Sequence, residues 1–465
     1  MTEEDAASAR NGAPSVSGVI PSHLFVELTS LDELSFPTSS SARIKYTCLS
    51  ASAHYLAVGS TSGTVYLFSR YAARYRKSLS SVPVQVIASK EGAAVKVLVA
   101  TNEKHLAVAT NRGHISIASL TGGAPTTVLN NTLHKGAIVT SLIWTEEGTK
   151  LLAGDSKGLV SCSRVASRNL FRTACEPVLE ADSGVVQLDV NGDAVLISTA
   201  TRSQLFHLGR STCIQVGKKL RHEPCGAIFA RPGAIERPLI FAGRPNGRLW
   251  ECDCEGAVYS THQFSNVTDV PLPPVATHRH DFDPDSGPSL EAIRFGRVHV
   301  IYLQEQMFIL TVNDSRLCVV EPQKGRVVLV CDVGHSAREY AVCGSDVFLL
   351  CESNGSLRKL SLFPLDKAVD KLHWRECYRQ AAQVMLAYGP SLPPPSPWKT
   401  ETVVDVLNHV KDDDAFTSVM IEQLTALLHT AKRRDANAKT STVMRLSTGI
   451  VYLDLLIVDL HRLSL

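Results

Sequence analysis

Along most of the chain, short apolar runs come in pairs separated by a brief polar turn. The unit is an apolar strand, a small residue, three loop residues, Gly or Ser, and a second apolar strand. Copies lie at Leu56–Phe68, Leu106–Ile117, Leu151–Val160, Leu196–Phe206, Leu239–Trp250, Phe308–Cys318 and Phe348–Leu357. Their turn positions, 63, 113, 158, 203, 247, 315 and 355, are separated by 50, 45, 45, 44, 68 and 40 residues. The long interval holds an insertion at Pro271–Pro288. Each copy reads as a β-hairpin, because Gly at the turn supplies positive φ without a Cβ clash. A further strand precedes the hairpins, as at Ile44–Leu49, Ala94–Ala100, Ile138–Trp144, Val185–Val190 and Ala227–Phe229. A period of about 40–45 residues with several strands per unit predicts a propeller rather than a helical solenoid. Seven hairpins predict an all-β, seven-bladed, WD40-like β-propeller, closed by an N-terminal strand at Leu24–Leu28 that pairs with the last blade. No Trp-Asp dipeptide ends a repeat, so the repeats are degenerate.

After Leu362 the period changes. Val369, Leu372, Cys377, Ala381, Met385 and Leu386 recur at i, i+3/i+4, which predicts one amphipathic helix over 366–388. A Pro-rich linker over 389–399 follows, in which Pro390-x-x-Pro393 reads as a spacer. Helical spacing returns at Thr402–Val410 and Ala415–Ala431. The expected organisation is a disordered tail (1–20), a propeller (21–365), the helix, the linker, and a short helical segment (400–465) that begins a truncated α-solenoid.

Composition narrows the function. Lys+Arg 47 against Asp+Glu 45 gives a net charge of +2, which argues against a nucleic-acid surface. Twelve cysteines without any CxxC read as small buried hydrophobes in a reducing compartment. The acidic start Met1–Asp5 has no apolar core of a signal peptide, and no run is long and apolar enough to span a bilayer. The cytoplasm is the expected location.

Motifs that carry chemistry are weak. Gly59-Ser-Thr-Ser-Gly63 has Thr61 where a nucleophile elbow has Ser, and it lies in a hairpin. No GxxxxGK[ST] or GxGxxG occurs. Cys252 and Cys254 with His222, Cys225 or His262 suggest zinc, but alternate residues on one strand suit packing better. Asp281–Gly287 resembles half an EF-hand loop, with its Gly one residue late. No catalytic residue, metal or cofactor is expected. An enzyme using the central channel would need convergent acidic or His residues, whereas the inner strands begin with Leu, Ile, Val and Ala. The one candidate surface is Arg70, Tyr71, Arg74, Tyr75, Arg76 and Lys77, a basic cluster with interleaved tyrosines that suits an anionic membrane or an acidic partner.

Particular words in the chain then resemble a known family. They include Ser30-Leu-Asp-Glu-Leu34, Tyr55-Leu-Ala-Val-Gly-Ser60, Gly184-Val-Val-Gln-Leu-Asp189 and Cys225-Gly-Ala-Ile-Phe229. The most specific is Ala242-Gly-Arg-Pro-Asn-Gly-Arg-Leu-Trp-Glu251, running on into Glu255–Phe264. Over residues 20–380 these are similar to the Hermansky–Pudlak syndrome 5 protein family. The related tectonin β-propeller repeat protein 2 shares the Val-Gln-Leu-Asp and Arg-Pro words and is the alternative, implying autophagy or secretory trafficking.

The first resemblance implies a WD-like propeller ahead of a longer helical region. It implies a non-enzymatic scaffold in endosomal trafficking and biogenesis of lysosome-related organelles such as melanosomes. The implied partners are the other large subunits of biogenesis of lysosome-related organelles complex 2, with the endosomal membrane surface or small GTPases beside them. No nucleic acid and no small-molecule substrate is implied. The implied location is cytoplasmic, peripheral to early endosomes.

Overall fold

The computed structural model describes residues 24–39, 41, 43–71, 80–165, 175–231, 237–264, 293–303, 306–389 and 397–436. The insertion at 271–288 and the tail at 1–20 lie outside them. Seven four-stranded antiparallel sheets form the seven blades. The first strands of the blades are Tyr46–Ala51, Ala94–Val99, Val139–Trp144, Val185–Asn191, Ala227–Ala230, His299–Leu303 and Ala337–Cys343. They pack against one another around the ring and so line its axis. The seventh blade takes its outer strand, Phe25–Ser30, from the N-terminal side, paired with Leu357–Phe363.

Inter-blade packing explains the glycine on the second strand of the first and third blades. A Cβ at Gly59 would lie 2.6 Å from Cys48 Sγ and 2.9 Å from Ala94 Cβ, and one at Gly154 would lie 2.6 Å from Val185 Cγ1. The second strand of one blade therefore touches the first strand of the next with no room for a side chain. Gly113 has the tightest turn: its φ is +76°, and an added Cβ would sit 1.8 Å from the carbonyl oxygen of His134.

A β-bulge recurs at the start of the first strand in five blades, at Tyr46/Cys48, Ala94/Lys96, Val139/Ser141, Val185/Gln187 and Ala337/Glu339. A bulge inserts one unpaired residue and re-aims its neighbours. In blades one and three the extra residue ties the ring together: Thr47 Oγ1 donates to Ala94 O, and Thr140 Oγ1 to Val185 O, each at 2.6 Å. Among the described residues, apolar clusters fill six of the blade junctions. Leu31, Leu34, Tyr46, Phe68, Phe348 and Leu357 fill the junction between the first and last blades.

The chain divides into two compact units, the ring up to Leu362 and a helical unit from Phe363. The single helix expected over 366–388 is two helices, Leu365–Trp374 and Tyr378–Tyr388. Leu372 and Cys377 are five residues apart, about 140° around one continuous helix. A break at Glu376, with φ 60°, turns the second helix so that Ala381, Ala382 and Met385 are buried as well. The helices Thr400–Val410 and 418–436 follow. Tyr378 stacks on His409 with ring centres 3.7 Å apart. Among the described residues no helix is long and apolar enough to cross a membrane.

Candidate functional site

The bulges place Lys96, Gln187 and Glu339 at corresponding positions of three inner strands, just past the extra residue. Two of them, Lys96 and Glu339, meet near the axis. Glu339 forms ion pairs with Lys96 of the second blade and with Arg297, just ahead of the sixth blade's first strand. Burial alone would raise the Glu339 carboxyl, but the two cations and their hydrogen bonds outweigh it and hold the group at about 2. Arg297 also lies over the Tyr340 ring at 4.2 Å, and the Tyr340 hydroxyl donates to Arg297 O at 3.0 Å. Gln187 reaches from the fourth blade to the sixth. Its amide nitrogen donates to Val298 O at 2.7 Å and its amide oxygen accepts the Val298 N–H at 2.9 Å. The inner strands thus carry more polar residues than the sequence pattern led us to expect. Glu339 is thus shared by two cations, which leaves the trio with a net single positive charge, while Gln187 is satisfied by the Val298 backbone.

At the end where the first strands finish, the ring opens into two adjoining cavities of about 280 and 340 Å³. Asp189 lines the first. Its two oxygens accept the backbone N–H groups of Phe229 at 2.7 Å and Val190 at 2.9 Å, and burial still pushes its carboxyl up to about 6. His299 lines the second, with burial first and then the Arg297 charge pulling it down to about 3, so its ring is neutral.

One constellation escaped the sequence reading altogether. His134 Nδ1 lies 2.8 Å from Asp155 Oδ2, and its Nε2 lies 2.7 Å from Ser161 Oγ. The order matches that of a hydrolase triad. All three residues are buried, however, and Asn131 Nδ2 also donates to Ser161 Oγ at 3.1 Å. Asp155 Oδ1 meanwhile accepts the N–H groups of Lys157 and Leu159. The group fastens the loop ahead of the third blade onto that blade's hairpin turn, out of reach of any reactant. The available signal was a His in the loop before a hairpin whose turn begins with Asp.

The basic cluster is divided. Arg74, Tyr75, Arg76 and Lys77 lie outside the described residues. Arg70 is engaged at the ring closure: its Nη2 is 2.9 Å from Asp346 Oδ2 of the last blade, and its guanidinium lies 5.0 Å from the Phe348 ring centre. Its charge is thereby committed to a partner within the ring. Tyr71 is 61% exposed and its ring lies 5.3 Å from that of His54. Of the zinc candidates, Cys252 is buried in a blade core and Cys254 Sγ donates to Pro238 O at 3.2 Å. Among the described residues no three His, Cys, Asp or Glu gather as a metal site.

A family model described as the HPS5 β-propeller matches residues 25–353, from the closing strand into the last blade. The chain belongs to the HPS5 β-propeller family. Within it, the chain is 31% identical over 431 residues to the human BLOC-2 complex member HPS5, covering 88% of this chain and 37% of that protein. It is 29% identical over 336 residues to the BLOC-2 complex member HPS5 homolog of Anopheles gambiae, covering 68% and 39%. The human tectonin β-propeller repeat-containing protein 2 is 28% identical over 288 residues, covering 59% of this chain and 20% of that protein. The chain therefore spans well under half the length of these HPS5 relatives.

Proposed function

We propose that this chain is a non-enzymatic scaffold subunit of a BLOC-2-type complex, working in endosomal trafficking toward lysosome-related organelles such as melanosomes. The observation that carries the reading is 31% identity across 88% of the chain to a protein named as a BLOC-2 complex member. Physical support comes from the axis, where Glu339 is tied up between Lys96 and Arg297 in a structural ion-pair group. The partners under this reading are the other large subunits of that complex, with endosomal membrane or a small GTPase as secondary contacts. The location is the cytoplasmic face of early endosomes.

Co-expression of the tagged chain with the other BLOC-2 subunits, followed by size-exclusion chromatography, tests the proposal. Co-elution in one peak is the expected result. Separate elution of a folded chain would reject the reading for this form of the protein.

A further inference from the structure

The two cavities at the exit end of the inner strands share Ile228 and Tyr302 and so form one groove with two lobes. Tyr302 is the ridge between them. It is 50% exposed, and its hydroxyl accepts the backbone N–H of Arg231 at 3.0 Å, which fixes the ring in place.

The lobes differ in chemistry. The first presents the Asp189 carboxylate, with exposed Glu146 at the rim and the Asn191 amide beside it. Each Asp189 oxygen accepts one backbone N–H and keeps a lone pair for another donor. Arg231 also lines this lobe, with Nη2 3.2 Å from Asn191 Oδ1, so two carboxylates face one guanidinium and the local balance stays negative.

The second lobe is apolar, walled by Ile228, Val300, Ile301 and Val342, with Gly344 leaving one side low. At its edge lies a polar atom without a partner: His299 Nε2 is buried and makes no hydrogen bond among the described residues.

We propose that this groove binds an extended segment of a partner protein carrying a Lys or Arg side chain next to a large aliphatic one. The cation enters the Asp189–Glu146 lobe and the aliphatic side chain enters the Val300–Val342 lobe. The segment's backbone crosses Tyr302. Charge complementarity selects the cation, since an acidic side chain would meet Asp189 and Glu146 at close quarters. This site stands whether or not the chain assembles into a BLOC-2-type complex.

The test is fluorescence anisotropy of the full chain with fluorescein-labelled Gly/Ser peptides containing Lys-Leu or Leu-Lys, and matched peptides with Gln for Lys. Saturable binding of one Lys peptide, about ten-fold or more tighter than its Gln counterpart, is expected. Asp189→Asn should remove most of that preference. Because Asp189 also holds two backbone N–H groups, Glu146→Lys, an exposed rim change, serves as a second variant and should weaken the Lys peptide selectively. Val342→Arg should weaken both peptides by filling the apolar lobe. Equal binding of Lys and Gln peptides, no binding of either, or binding indifferent to Glu146→Lys would each overturn the proposal.

Discussion

Replacing Glu339 with Gln should open a gap in the charge balance at the ring's axis. The side chain keeps its shape, but Lys96 and Arg297 lose their shared counter-ion. At contact distance and an effective dielectric of about 20, each attraction amounts to about 5 kcal/mol before desolvation is subtracted. Removing one member of a buried ionic group typically costs about 3–5 kcal/mol, since the remaining charges stay buried without compensation. Lys96 and Arg297 side chains retain 22% and 29% exposure, so water reaches them and the lower end applies, about 3 kcal/mol. For a ring of about 340 residues that corresponds to a fall in Tm of about 4 °C.

The same variant carries a pH signature. The Glu339 pKa is lowered on folding, from its ordinary 4.5 to about 2, so its stabilisation is present above 4.5 and is lost as pH falls toward 2. Glu339→Gln should therefore lack that part of the acid slope. Urea unfolding at pH 7 and again at pH 3, followed by circular dichroism, measures both effects. A variant that unfolds at the parent's urea midpoint at pH 7 would refute the idea that this carboxylate holds the axis together.

Gly113→Ala should cost at least about 3 kcal/mol, because positive φ and a Cβ 1.8 Å from His134 O combine, and differential scanning fluorimetry reads the loss. His134→Ala should lower stability by about 2–3 kcal/mol by leaving Asp155 and Ser161 without their partner, read as a shift in the urea midpoint. Asp189 has its pKa raised on folding, from 3.8 to about 6, so its contribution is full below 3.8 and declines as pH rises through 6. Asp189→Asn should abolish that decline in a Tm-against-pH series, and an unchanged slope would place the titration elsewhere.

The ring was legible because each repeat must solve the same packing problem. Leu56, Leu106 and Leu151 are fully buried at the same step of the second strand, and the Gly or Ala three residues on makes room for the next blade. That recurrence survives even though the turns vary, since Ser203 and Ser315 stand where other copies have Gly. The closing strand was legible from its apolar residues and its place ahead of the first repeat. The axis was not. Lys96, Arg297 and Glu339 are scattered along the chain, and the bulges that precede Lys96 and Glu339 depend on pairing between strands. The helix over 366–388 was misjudged for a similar reason: its apolar spacing fits one stripe until the five-residue step from Leu372 to Cys377, which a left-handed residue absorbs.

The closing strand also has a consequence in time. About 330 residues separate Ser30 from Leu357, so a partner strand encoded near the start waits for one made far later. At about 5–20 residues per second, the ribosome needs roughly 15–70 s to supply it. Throughout that interval Phe25 and Val26, which end up buried, have no sheet to join, and their strand presents open backbone to whatever is near. Six blades can fold in order behind the ribosome while the seventh stays half-built. The completed ring is then a product of timing as much as of packing, and the nascent chain has its greatest need for a chaperone before residue 363 emerges.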